Sequence, residues 1–284
     1  MSKPISPIIS AKELIALMKD ENLVIVDTTT KIFDKNEQRF IKGALLVNLD
    51  TQLSHIKKDL SKGGRHPLPT MNQFANTLNN LGITKDSHVV IYDYVNGASA
   101  AARFWWMLKA VGHKKVQVLN GGFQEALQNG IPVSTTYSVP KEISNYNLAK
   151  WKWPKVNLKE VENATTDKEQ LIIDVRDKYR YDGISEPIDL IAGHIPGAIN
   201  VPFSNNNDTN GLFKSPEALK VFYKNIFGAI KTSNGIVHCG SGVNACQTIL
   251  AMAYAGLEIP KLYVGSWSEW SRNNKPMILA NKNS

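Results

Sequence analysis

Hydrophobic residues in this chain fall into short unbroken runs that stop abruptly at a polar or small residue. Leu23-Val-Ile-Val precedes Asp27, Leu171-Ile-Ile precedes Asp174, His88-Val-Val-Ile-Tyr precedes Asp93, and Gly235-Ile-Val-His precedes Cys239. Such runs are too short for buried helices and rich in β-branched residues, so they predict strands covered on both faces. Longer stretches with helical spacing separate them, and strands alternating with helices predict βαβ units around a mainly parallel sheet.

The pattern occurs twice, with a period of roughly 145 residues, the size of a duplicated domain rather than of a solenoid repeat. Ile41-Lys-Gly-Ala44 corresponds to His194-Ile-Pro-Gly-Ala198, and each leads into an apolar segment, Leu45-Leu-Val-Asn-Leu and Ile199-Asn-Val-Pro-Phe. Val116-Gln-Val-Leu-Asn-Gly-Gly-Phe123 corresponds to Lys261-Leu-Tyr-Val-Gly-Ser-Trp267 at the end of each copy. The expected organisation is α/β, with one domain over residues 1–137, a connection over 138–158 and a second domain over 159–284. Pro140, Asn145, Asn147 and Pro154 suit the connection to a path over the surface, with Trp151 and Trp153 as its anchors.

Composition narrows the class. Hydrophobic residues make up 43% of the chain and charged residues 20%, ordinary values for a soluble globular protein, and no run approaches the roughly 20 apolar residues of a membrane span. The start of the chain lacks the apolar core of a secretory signal and the acid-poor bias of a transit peptide, so a cytoplasmic location is expected. The formal charge of +8 is scattered in short pairs such as Lys57-Lys58 and Lys114-Lys115, which favours small anions over nucleic acid. Two cysteines, Cys239 and Cys246, make neither a disulfide framework nor a zinc site. Their reactivity is the remaining question.

Cys239 ends a strand and opens the loop Gly240-Ser241-Gly242-Val243-Asn244, which runs into an apolar helix. Open α/β sheets place their sites at such carboxyl ends. Glycines let successive backbone amides converge, and these amides with the helix N-terminus favour negative charge at the sulfur, the form in which a thiol attacks. Cys246 falls on the first turns of the helix and reads as inert. A cysteine phosphatase would need an arginine six residues after its cysteine to hold a phosphate dianion; Ala245 occupies that place. In the first copy the corresponding residue is Asp93, so thiol chemistry is confined to the second.

These motifs together resemble the tandem-domain rhodanese family. The resemblance spans nearly the whole chain, through His66-Pro-Leu-Pro69, Arg103-Phe-Trp-Trp-Met-Leu108, Leu119-Asn-Gly-Gly-Phe123, Gly193-His-Ile-Pro-Gly-Ala198 and Gly265-Ser-Trp-Ser-Glu-Trp270. The loop Cys-Gly-Ser-Gly-Val-Asn-Ala closely resembles that of the family's 3-mercaptopyruvate sulfurtransferases, although Asn244 replaces their usual Thr. Relatives that use thiosulfate carry Arg and Lys where this chain has Gly240 and Ser241.

The resemblance implies sulfur transfer through a persulfide on Cys239. A small anionic donor, 3-mercaptopyruvate or alternatively thiosulfate, would give sulfur to a thiol, a thioredoxin-like protein or cyanide, without cofactor, metal, nucleic acid or membrane. A noncatalytic persulfide carrier is the alternative from another class. The resemblance further implies that Arg180 holds the donor carboxylate, that Gly240, Gly242, Val243 and Asn244 line the sulfur, and that Asp50, His66 and Ser241 form a proton path. His194 and Asp174 would orient the loop or cap backbone groups, and His238 would point away from it. The family's second carboxylate-binding arginine is absent: the chain reads Glu186-Pro187-Ile188. Lys178 is the candidate replacement cation.

Overall fold

The computed structural model describes residues 5–29, 39–97, 100–140 and 143–279. Residues 1–4 of the N-terminal segment, and Ala98-Ser99 of the turn after Asp93, lie outside them. Two compact units result, one formed by residues 1–54, 69–152 and 209–213, the other by 55–68, 153–208 and 214–284.

The first unit contains β1 (Ile8–Ile9), β2 (Leu23–Asp27), β3 (Phe40–Ile41), β4 (Leu45–Leu46), β5 (His88–Tyr92), β6 (Val116–Leu119) and β7 (Val133–Ser134). A parallel sheet runs in the order β1-β6-β5-β2-β4, and β3 pairs antiparallel with β7 as a separate two-stranded piece. The second unit contains β8 (Lys155–Val156), β9 (Leu171–Asp174), β10 (Ile199–Asn200), β11 (Gly235–His238) and β12 (Lys261–Tyr263). Its parallel sheet runs in the order β10-β9-β11-β12-β8. Strand for strand, this is the first sheet's order in mirror listing, so the duplication predicted from sequence extends to topology.

Parallel strands need crossovers, and the helices that make them cover both sheet faces. This is why the central strands read as unbroken apolar runs: all five residues of β5 and all four of β11 are buried. The helix after β5, Ala100–Ala110, is buried at every position except Lys109, as expected of a helix apolar all round. Ser10, Thr70 and Asn157 each cap a helix while Glu13, Gln73 and Glu160 reach back to complete capping boxes, which fixes where those helices begin. Trp151 packs on Phe74 and Trp106, anchoring the connection against the first unit.

The second core gathers Ile172, Ile236, Tyr263, Trp267 and Trp270 behind the sheet. The segment 55–68 belongs to this unit although it lies early in the chain. Glu269 accepts a hydrogen bond from the Gly63 amide at 2.8 Å, and Asn273 donates to the Ser61 carbonyl at 2.8 Å. Gly64, at φ +75°, approaches so closely that a Cβ there would stand 2.4 Å from the Gly265 carbonyl oxygen, so only glycine fits.

Candidate active site

Cys239 is the first residue beyond β11, at the carboxyl end of the strand in the middle of its sheet. The helix Ser266–Trp270 folds over the start of the loop. Trp267 and Ser268 donate their amides to the carbonyls of Cys239 and Gly240, at 3.0 and 2.8 Å, and Ser266 Oγ accepts from the Cys239 amide at 3.2 Å. With those carbonyls tied back, the loop amides turn the other way. Among the described residues, no acceptor receives the amides of Ser241, Val243 or Asn244, which leaves them for an anion.

The first unit offers a direct comparison. Asp93 occupies the place of Cys239, and the Phe123 amide donates to its carbonyl at 3.0 Å as Trp267 does to Cys239. There the loop amides close on the Asp93 carboxylate: Val95 and Gly97 donate to Oδ1 at 3.0 and 2.8 Å, and Ala101 to Oδ2 at 3.4 Å. One copy thus fills its amide cradle with an internal negative charge, and the other places a sulfur at its edge. The turn that makes the cradle depends on Gly242, at φ +72°, whose added Cβ would lie 2.4 Å from the Val264 carbonyl oxygen. Gly242→Ala is therefore expected to cost at least about 1–2 kcal/mol from the left-handed conformation alone. A thermal melt checks this as a fall of at least roughly 2 °C.

Of the residues singled out by sequence, Ser241, His66 and Arg180 come together around this loop. His66 Nδ1 lies 2.8 Å from Ser241 Oγ. Arg180, on the short helix Lys178–Tyr181, binds Glu186 through Nε and Nη2 and stands 3.5 Å from Asp189 Oδ2. Burial works against the charge on this guanidinium, but Glu186, Asp189 and the nearby Cys239 outweigh it and strengthen its hold on the proton. Val243 is buried and Asn244 half-buried at the N-terminus of Ala245–Tyr254. Asp50 lies exposed on the helix Leu49–Gln52 of the first unit, its amide donating to Asn48 Oδ1.

One expectation is corrected. Lys178 does not serve as a replacement cation at the loop: its side chain is 75% exposed and pairs with Asp182 at 2.7 Å, because the residue two before Arg180 on a helix turn faces away from it. Of the two roles expected for His194 and Asp174, both take the capping of backbone groups: His194 Nδ1 meets the Tyr181 carbonyl, with its ring stacked on Tyr181, and Asp174 Oδ1 accepts from the Arg176 amide at 3.0 Å. Asp174 also anchors the Arg176 side chain, receiving its Nε at 3.0 Å and its Nη2 at 2.5 Å. Burial would push the Asp174 carboxyl up, but His238 and Arg176 beside it, and the hydrogen bonds from Arg176, hold it below its usual range. His238 lies behind the loop, fully buried and 3.8 Å from Asp174, and burial pushes its pKa down against the pull of that carboxylate.

Sequence reasoning missed the residues that complete the charge pattern. Arg176 also reaches Glu186 at 3.2 Å, and Asp189 is approached by Arg65 at 3.1 Å and Arg272 at 3.2 Å as well as by Arg180. Four guanidiniums thus share three carboxylates beside the cysteine loop, leaving an excess of positive charge. Arg65 was detectable only through its adjacency to His66. Ile188 is exposed, and only its backbone takes part, its amide donating to Glu186.

A lone thiol at a parallel strand end, an amide cradle and flanking guanidiniums define a cysteine-dependent site for a small anion in one copy of a duplicated α/β domain. Comparison with known proteins narrows this class. The rhodanese-like domain matches residues 10–129 and 157–273, and the chain belongs to the rhodanese family. It is 33% identical to a probable 3-mercaptopyruvate sulfurtransferase of Pseudomonas aeruginosa, over 93% of this chain and 94% of that one. It is 35% identical to the thiosulfate sulfurtransferase of Gallus gallus, over 84% and 81%. Among solved structures, the 3-mercaptopyruvate sulfurtransferase of Leishmania major superposes with a TM-score of 0.82 at 27% identity, covering 95% of this chain and 75% of that one. Among the described residues, no helix is long and apolar enough to cross a membrane.

Proposed function

We propose that this enzyme transfers sulfur from 3-mercaptopyruvate, through a persulfide on Cys239, to a thiol, a thioredoxin-like protein or cyanide. The observation that carries the reading is the meeting of Cys239, the Ser241–His66 pair and Arg180 at one loop, with backbone amides directed at the same space. In the first half-reaction the Cys239 sulfur, as its anion, attacks the donor sulfur. The donor's carbon–sulfur bond breaks and its electron pair leaves on carbon as the pyruvate enolate, which takes up a proton to become pyruvate. In the second, the acceptor attacks the outer persulfide sulfur and Cys239 leaves as its anion, so that each half-reaction is a displacement sharing one cysteine.

The remaining roles belong to the same reading. The amides of Ser241, Val243 and Asn244 stabilise charge on the attacking and departing sulfur. Arg180 orients the donor through its carboxylate. His66 and Ser241 carry the proton that the enolate needs, with Asp50 as the third member on the strength of the family resemblance. The thiol-bearing copy is catalytic, and Asp93 marks the other as a scaffold.

The test is pyruvate release from 3-mercaptopyruvate against sulfite release from thiosulfate, each with cyanide as acceptor. A higher kcat/KM for mercaptopyruvate is the expected result. Thiosulfate has a specific observation in its favour, the guanidiniums beside Gly240, and a preference for it would transfer the assignment to that donor. Silence on both, with a persulfide still accepted on Cys239 from another protein, would make the chain a carrier.

A further inference from the structure

We propose that segment 184–191 of the second unit is the docking surface for a protein acceptor, one that presents its attacking thiol on an apolar face. The inference rests on the reading of Cys239 as the bearer of a persulfide. The patterning of this segment is inside out. Its two carboxylates are buried, the side chain of Glu186 to 2% exposure and that of Asp189 to 0%. Ile184, Ile188 and Leu190 are instead 71, 54 and 66% exposed, and Ile191 is exposed beside them. Elsewhere among the described residues, large exposed apolar side chains stand singly or in pairs along the chain. Isolated ones are ordinary, but four within eight residues mark a surface that meets another molecule.

The exposure is built into the backbone. Glu186 accepts the amides of Ile188 and Asp189 at 3.0 and 3.1 Å while it holds Arg180. The Tyr179 carbonyl accepts the Ile184 amide at 3.0 Å, and Trp267 donates its indole N–H to the Ile191 carbonyl at 2.7 Å. With the segment pinned at both ends and in the middle, and its carboxylates drawn inward, the aliphatic side chains cannot turn into the core without breaking these bonds.

The position of the patch selects its occupant. Ile188 and Leu190 flank Asp189, and a Cβ added at Gly240, the residue after the nucleophile, would stand 3.4 Å from Asp189 Oδ2. The apolar side chains thus rim the loop that bears Cys239, which is itself only 3% exposed. Cyanide or a small thiol reaches such a sulfur without covering the rim. A protein thiol reaches it only with the surface around that thiol pressed against the rim, and apolar area removed from water then favours the encounter. In the transfer the partner's thiolate attacks the outer sulfur of the persulfide. The sulfur–sulfur bond breaks with its electron pair on Cys239, and the partner leaves with the persulfide.

The experiment compares wild type, the triple variant Ile184→Ser/Ile188→Ser/Leu190→Ser and Val221→Ser, a control at an exposed aliphatic residue on the helix Pro216–Phe227. The donor is 3-mercaptopyruvate, and the acceptor is either reduced thioredoxin or cyanide. The triple variant is expected to lose at least about tenfold in kcat/KM for thioredoxin, as for removal of the apolar anchors of an interface. Its kcat/KM for cyanide and its melting temperature should be unaltered, and Val221→Ser should match wild type throughout. An unchanged value for thioredoxin would overturn the inference, as would an equal loss on both acceptors or a wild type that serves cyanide and not thioredoxin. A wild type that releases no pyruvate with either acceptor would instead overturn the functional reading, and this inference with it.

Discussion

Cys239→Ser is expected to abolish sulfur transfer, lowering turnover on either donor by more than roughly 10³-fold. The hydroxyl can occupy the same place beside the amide cradle, but it neither ionises near neutral pH nor forms a persistent bond to sulfur, so the covalent intermediate is lost altogether. Mass spectrometry of wild type exposed to donor without acceptor should show the gain of one sulfur atom, and the variant none. Cys246 provides the internal comparison. It is fully buried on the helix Ala245–Tyr254, with its sulfur 3.4 Å from the Gly242 carbonyl, and Cys246→Ala should keep both turnover and loading. Loading that persists in Cys239→Ser would place the sulfur elsewhere and remove the basis of the reading.

What the sequence disclosed, and what it withheld, follows from how far apart the interacting residues lie. The strands β5, β9 and β11 were legible because burial on both faces writes itself as a local run of apolar residues. The cysteine loop was legible because its function is made by consecutive residues, and Asp93 because the second copy supplies its register. Arg180 and His66 needed the family resemblance, since an arginine on a short helix and a histidine before a proline carry no periodic signal. Arg65 was legible only through its adjacency to His66, and Asp189 and Arg272 not at all. Their convergence depends on segment 55–68 folding with the second unit, an arrangement fixed by Gly63, Gly64 and Glu269, and Gly63-Gly64-Arg65 taken alone reads as an exposed turn. Lys178 was the natural candidate by proximity along the chain. The structure shows that proximity in sequence put it on the wrong side of its helix turn.

The Ser241–His66 pair yields the second large effect, because it acts on one half-reaction with one of the two donors. Breaking the carbon–sulfur bond of mercaptopyruvate leaves charge on carbon, and the enolate must be protonated as it departs; sulfite leaves from thiosulfate as a stable anion and needs no proton. His66→Asn and Ser241→Ala are each expected to lower kcat for mercaptopyruvate by about 10²-fold, the lower end of what a positioned proton donor supplies. The two groups are 2.8 Å apart and act as one relay, so the double variant should fall little below either single one rather than by the product of both. Thiosulfate turnover should change much less in all three. Rapid quench of the first half-reaction locates the defect: pyruvate formation should slow while transfer from preformed persulfide to cyanide keeps its rate. If both donors slow equally, the pair serves to hold the loop over Cys239 and the proton must come from another group. If the effects multiply, His66 and Ser241 act separately, and their hydrogen bond is a packing contact rather than a path.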